Sequence, residues 1–138
     1  MNTLSSRPLR VVMTKAGLDA HERGVHVVSR GLRDHGMEVI VLGLRQPPDT
    51  VARVAIQEDA DVIGVSSLAG GHLAYIAALI EKMRELESDS IVVVGGVIPA
   101  DDVPKLHDLG VAAIFPPGTL VSEIAAKLTE LGQTRIPD

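Results

Sequence analysis

Lys15, Asp19, His21, Glu22 and Arg23 crowd into nine residues, with Gly24 directly after them. Asp19 stands two residues before His21. A carboxylate so placed can accept the proton on one imidazole nitrogen, fix the tautomer, and leave the other nitrogen free to ligate a metal or take a proton. The ordinary alternative is a solvated loop in which Asp19 caps the following helix. Further along, Ser66-Ser67-Leu68 offers hydroxyls that could meet a ligand or simply satisfy backbone in a turn. Gly70-Gly71 and Gly95-Gly96 are either tight exits from regular structure or bare backbone against which a bulky ligand can lie. His21 and His26 are five apart and would point to different faces of a helix, so they are no zinc pair. His26, His35 and His107 read as surface or helix-end residues, whereas His72, beside Gly70-Gly71, stands apart from them.

The elements that must position these residues follow from periodicity. Leu9–Thr14 is a short apolar run that reads as a strand buried on both faces. A helix begins at Gly24, turns Val27, Val28 and Leu32 inward, and stops at His35-Gly36, where glycine suits a left-handed cap. The alternation repeats with strand Glu38–Leu42, a turn through Gln46-Pro47-Pro48, and a helix with Asp49 as N-cap and Val51, Val54 and Ala55 inward. Strand Asp61–Ser66 comes next, then the longest helix, with an apolar stripe of Leu73, Ile76, Ala77, Ile80 and Met83. Strand Ser90–Val94 ends at Gly95-Gly96; Asp101 or Asp102 opens a short helix closing at Leu109-Gly110. Strand Val111–Phe115 and a helix over Thr119–Leu131 complete the series.

Five strands alternating with five helices predict an α/β three-layer sandwich around a parallel sheet, of the flavodoxin-like (Rossmann-like) kind with order 2-1-3-4-5. Residues 1–8 are expected to be a flexible N-terminus, 9–131 one domain, and 132–138 a C-terminal tail that frays from Gln133. In an open sheet of this order, ligands bind beyond the carboxyl ends of the strands, between the first and third. The loops so nominated are Lys15 to Arg23, Ser67 to His72 and Gly95 to Pro99, the same loops that hold the unusual residues.

Composition removes several classes of function. The 138 residues carry a formal net charge of −5, which disfavours nucleic acid, and one Tyr and one Phe leave no set of rings on which bases or a flavin could stack. With no cysteine there is no disulfide, thiolate metal site, iron–sulfur cluster or cysteine nucleophile. No apolar run approaches the roughly 20 residues needed to cross a bilayer. Met1 to Arg10 lacks an apolar export signal, so the expected location is cytoplasmic. Gly17 and Gly24 fit neither a P-loop nor a dinucleotide fingerprint. A phospho-receiver would need an aspartate where the third strand ends in Ser66.

Taken together, Asp19-Ala20-His21-Glu22-Arg23-Gly24, then 41 residues to Ser66-Ser67-Leu68, then 26 residues to Gly95-Gly96, resembles the Asp-x-His-x-x-Gly, Ser-x-Leu, Gly-Gly signature of cobalamin-binding domains. The similarity runs from about Leu9 to Leu131, and segments such as Gly36–Ile40 and Ala55–Gly64 resemble the acyl-CoA mutase branch: methylmalonyl-CoA mutase and its isobutyryl- and 2-hydroxyisobutyryl-CoA relatives. The resemblance implies adenosylcobalamin bound base-off, with His21 as the lower axial ligand of cobalt, Asp19 on its other ring nitrogen and Lys15 next to that pair. It assigns Arg23 and Gly70 to the cofactor site as well. It places the displaced nucleotide tail in a slot beside the sheet, walled by Gly24, Ser66, Leu68, Gly95, Gly96 and the Gly118-Thr119 turn. Glycines would admit ribose and phosphate, Ser66 would hydrogen-bond a benzimidazole nitrogen, and Leu68 would touch the ring. Ala20 and Glu22 depart from the usual glycine and aspartate, and Pro116 replaces a glycine of the Phe-Gly-Pro-Gly-Thr pattern.

Mutases of this family bind substrate in a TIM barrel of about 250 residues, more than this chain holds. The resemblance therefore implies a cobalamin-binding small subunit of a two-chain acyl-CoA mutase, inactive alone. A large TIM-barrel partner would bind most of the acyl-CoA. Two alternatives share the histidine-ligated fold: a corrinoid methyl carrier for a methyltransferase, whose N-terminal helical cap about eight residues could not supply, and a non-catalytic cobalamin sensor. A cofactor-free interaction module is a further alternative.

Overall fold

The computed structural model describes residues 7–15, 23–43, 46–67 and 72–135. Strands and helices alternate as β1 (Arg10–Lys15), α1 (Arg23–Asp34), β2 (Glu38–Val41), α2 (Pro48–Gln57), β3 (Val62–Ser67), α3 (His72–Glu85), β4 (Ile91–Gly96), α4 (Asp102–Leu109), β5 (Ala113–Phe115) and α5 (Val121–Arg135). All strand pairs are parallel, in the order β2-β1-β3-β4-β5. Register places Lys15 beside Ser66, and Ser66 beside Gly95, so the expected site residues lie in one row at the carboxyl edge.

Alternation along each strand sorts the core into two halves. Val12, Ile63, Val65, Val92 and Val94 pack with Val51 and Ala55 of α2, Ile76, Leu79 and Met83 of α3, and Leu106 of α4. Val11, Met13, Val62, Val93 and Ala113 face Val25 and Leu32 of α1 and Ile124, Ala125 and Leu128 of α5. Both faces of the sheet are thus covered, as its apolar strands require. Gly36 (φ +88°) and Gly110 (φ +118°) adopt the left-handed conformation that ends α1 and α4. At the opposite edge, fully buried Asp61 takes both Arg7 guanidinium nitrogens, at 2.7 and 3.1 Å, and the Arg10 N–H at 2.9 Å, pinning the chain entering β1.

Several expectations need correction. Asp49 does not cap α2: Pro47 occupies the cap position and Pro48 the first turn, because proline's fixed φ and missing N–H suit a helix start. Asp49 falls inside that first turn and makes no capping hydrogen bond, though its charge still suits the helix N-terminus. Val27 is 56% exposed; the inward positions of α1 are Val25, Ser29 and Leu32, with Val28 half-buried. In α3 the fully buried stripe runs through Ile76 and Leu79, leaving Ala77 at the margin. β5 starts at Ala113 rather than Val111, whose N–H closes the α4 turn on Leu106. The last helix begins at Val121 and continues to Arg135, past the expected fraying at Gln133. Leu9 lies so close to Gly132 that a Cβ there would be 2.3 Å from it, which ties this end of α5 to the chain entering β1. Among the described residues no helix is long and apolar enough to cross a membrane.

Candidate functional site

A cavity of about 290 Å³ opens at the carboxyl edge of the sheet, on the α1/α5 face. Its floor is the row of side chains that strand alternation sends to that face: Val11 and Met13 of β1, Gly64 and Ser66 of β3, Val93 and Gly95 of β4, and Phe115 of β5. Its walls are Val25, Val28 and Leu32 of α1 and Ile124 and Leu128 of α5. Gly96, Val97 and the Pro116–Thr119 turn form the rim. Among the described residues, the lining side chains are apolar apart from the hydroxyls of Ser66 and Thr119. The space suits a flat, largely apolar group that can accept a hydrogen bond.

The two adjacent glycines of β4 have different reasons to be glycine. Gly96 sits at φ +118°, and a Cβ there would come within 1.9 Å of the Ser67 carbonyl oxygen, so the backbone itself demands glycine. That close approach accompanies a hydrogen bond from the Val97 N–H to Ser67 O at 3.0 Å. Gly95 has no such excuse. Among the described residues a Cβ there would meet only Phe115, at 3.7 Å or more, in ordinary van der Waals contact. Its missing side chain adds room to the cavity. On the floor beside it, a Cβ at Gly64 would press on Met13 Sδ at 2.7 Å, so that glycine lets β1 and β3 fill the cavity base.

The rim turn explains Gly118 and Thr119. The Thr119 N–H donates to Pro116 O at 3.2 Å, Pro117 holds the second position, and Gly118 has φ +87°, the pattern of a type II turn. The Thr119 hydroxyl also donates to Pro116 O, at 2.6 Å, leaving its lone pairs at the cavity rim. Pro116, the departure from the glycine pattern, is thus accommodated at the first position of the turn.

Of the other expected site residues, Lys15 ends β1 on the parity of Val11 and Met13, is 4% exposed, and is engaged in a polar or electrostatic contact. Arg23 and Gly24 open α1 at the same edge. Asp19, His21, Leu68 and Gly70 lie outside the described residues, as do Ala20 and Glu22. The structure therefore brings together Lys15, Ser66, Gly95, Gly96, Gly118 and Thr119, and leaves the Asp19-His21 expectation where the sequence put it.

Sequence reasoning missed the apolar walls: it read Val28 and Leu32 only as inward helix positions and did not single out Val25, Ile124 or Leu128. Their helical spacing is the same whether they pack on a sheet or on a cavity. It also left His72 unassigned. That residue opens α3, is 4% exposed, and its Nε2 lies 2.8 Å from Asp102 Oδ2. Tyr75, one turn further, donates its hydroxyl to Gln46 O at 2.8 Å, and burial pushes its phenol above the ordinary value.

The B12 binding domain family matches residues 9–126. The 2-hydroxyisobutanoyl-CoA mutase small subunit of Aquincola tertiaricarbonis is 40% identical over 94% of this chain and 98% of its own. The pivalyl-CoA mutase small subunit of Xanthobacter autotrophicus is 44% identical over 93% of this chain and 86% of its own. The methylmalonyl-CoA mutase large subunit of Streptomyces virginiae is 44% identical over 88% of this chain, which spans only 17% of that protein. Among solved structures, the Methanosarcina barkeri monomethylamine corrinoid protein superposes with a TM-score of 0.75 at 18% identity, over 88% of this chain and 57% of that one. The NarL receiver domain of Mycobacterium tuberculosis does so with 0.71 at 19% identity, over 92% and 98%. At such identities the structural likeness speaks for the fold alone.

Proposed function

The chain belongs to the B12-binding domain family, and on that premise we propose that it is the adenosylcobalamin-holding small subunit of a two-chain acyl-CoA mutase. The observation that carries the reading is the cavity itself: it opens at the strand ends that the topology nominates, and Gly95 enlarges it at a point where, among the described residues, a side chain would meet only ordinary contacts. The residues present fit a corrinoid with a displaced nucleotide tail. The apolar floor and walls suit a benzimidazole ring, Ser66 can donate to its free nitrogen, Gly95, Gly96 and Gly118 leave backbone open to ribose and phosphate, and the Thr119 hydroxyl oxygen can accept from a ribose hydroxyl. His21 would be the lower ligand of cobalt, with Asp19 accepting its other ring N–H and Lys15 completing the chain of charges. Arg23, Gly24, Leu68 and Gly70 would complete the pocket around them.

Adenosylcobalamin, when bound, supplies the radical that starts a carbon-skeleton rearrangement. This chain contributes binding and orientation. Its residues hold the lower face, keep the imidazole of His21 in one tautomer, and exclude water from the tail. A large TIM-barrel partner would bind the acyl-CoA and choose among its kinds. The reading includes one cofactor domain over residues 9–131 and a cytoplasmic location.

Absorbance spectroscopy tests it. Purified chain mixed with adenosylcobalamin is expected to show the base-off, histidine-bound spectrum, and His21→Ala to lose it; an unchanged spectrum in His21→Ala would sink the axial assignment. Mutase activity is expected only when a barrel-sized subunit is added, and turnover of acyl-CoA by this chain alone would refute the division of labour.

A further inference from the structure

On the α3 side of the same edge lies a buried pair that neither the cavity nor the proposed axial chain uses. His72 Nε2 lies 2.8 Å from Asp102 Oδ2, with the two side chains 5% and 18% exposed. A carboxylate only accepts, so Nε2 carries the hydrogen, and the ring's remaining nitrogen, Nδ1, is buried with no hydrogen-bond partner among the described residues. Lys105 Nζ stands 3.8 Å from the other Asp102 oxygen, but on a largely exposed side chain. The pair is therefore the principal contact of both residues.

Its place in the fold gives it a function. His72 is the first residue of α3 and Asp102 the first of α4. The loop that Asp102 terminates begins at the cavity, leaving β4 after Gly95 and Gly96. At its strand end that loop is already joined to the last residue of β3 by the Val97 N–H on Ser67 O. The His72–Asp102 bond ties its helix end to the start of α3. Neither residue lines the cavity, so neither is placed to touch a ligand within it.

We infer that His72 and Asp102 form a positioning pair that ties the start of α3 to the start of α4, clamps the loop between β4 and α4, and so sets the cavity mouth for the cofactor, through Nε2 of His72. The inference rests on the functional reading above and deepens it. Removing Asp102 strands His72 as a buried polar group, removing His72 leaves Asp102 only its contact with the exposed Lys105, and in either case the loop loses its second tie.

The imidazole nitrogens can be separated by substitution, because glutamine carries an N–H near the Nε2 position and asparagine places its polar group near Nδ1. Cobalamin titrations of the full-length chain, read by absorbance, are expected to give His72→Gln an affinity within about threefold of the parent. His72→Asn, His72→Ala and Asp102→Ala are expected to weaken binding by about tenfold or more, the scale of a lost hydrogen bond to a charged group. The histidine-bound spectrum of whatever cobalamin is bound should be unchanged, since the axial ligand lies elsewhere. The double variant His72→Ala/Asp102→Ala should bind no worse than either single one, as coupled partners do.

A melting measurement on each variant without cofactor separates folding from positioning. Equal affinity of His72→Ala and the parent overturns the inference, as does Asn rescuing where Gln does not, because Nδ1 would then be the working atom. If the parent chain binds no cobalamin, or His21→Ala keeps the spectrum, the functional reading falls and the inference with it; the outcomes at residue 72 leave that reading standing.

Discussion

The two sides of the sheet's carboxyl edge are built on opposite plans. On the α2/α3/α4 side the loops are laced together: Tyr75 bonds the β2–α2 loop through Gln46 O, His72 bonds Asp102 at the start of α4, and the core beneath holds fully buried Ile76, Leu79 and Leu106. On the α1/α5 side the same strands, read at the alternate positions, present Gly64, Ser66 and Gly95 and leave a cavity of about 290 Å³. One face is closed by its own side chains, and the other, among the described residues, keeps an open cavity. A rigid laced side lets the open side keep its shape at little local cost, which is what a preformed cofactor slot requires.

Four substitutions break or sharpen that contrast. The largest effect is expected at Gly96, which belongs to the lacing despite lying next to the cavity. Gly96→Ala combines strain at positive φ with overpacking against Ser67 O, each worth about 1–3 kcal/mol, so chemical denaturation should show a loss of about 3–5 kcal/mol. A melt close to the parent's would remove Gly96 from the structural side of the comparison. Next comes Leu79→Ala, which opens a void in the closed half and should cost about 2–5 kcal/mol without lowering cobalamin affinity once the protein is folded.

Tyr75→Phe should cost only about 1 kcal/mol, the worth of one hydrogen bond to a backbone carbonyl. It carries a pH signature as well. Burial raises the phenol's pKa in the folded state above the ordinary 10.0, so the unfolded chain releases its proton first. The Tyr75 contribution is then complete below pH 10 and shrinks as pH rises beyond it. Denaturation midpoints measured across that range should fall less steeply in Tyr75→Phe than in the parent. The smallest effect on stability belongs to Gly95→Ala, which has ordinary clearance and should stay within about 0.5 kcal/mol of the parent. Its cobalamin affinity should nonetheless fall about tenfold, the equivalent of 1.4 kcal/mol. Unimpaired binding by that variant would mean that the room beside Phe115 is not used by the ligand.

Much of this was legible in the chain. The valine-rich runs, the glycine ends of α1 and α4 and the regular spacing of strands and helices specified the sheet order, and the order nominated the loops. Local signals misled where two rules competed. Asp49 is a good capping residue, yet Pro47 and Pro48 before it are a stronger helix start. Val27 continues an apolar triplet with Val25 and Val28, but only two of the three can face the sheet on a helix of 3.6 residues per turn. The helix after β5 outran its expected end because Leu9, more than a hundred residues away in sequence, packs against Gly132.

The amino-acid order alone determined the alternation, the strand parity and the short motif around His21, because each depends on residues within a few positions of one another. Only the folded arrangement decided that Gly96 answers to the Ser67 carbonyl while Gly95 faces the cavity, that helix residues of the core also wall that cavity, and that His72 meets Asp102. Those facts are distances between segments some 30 residues or more apart in the chain, and no local pattern carries a distance between segments until packing brings them together.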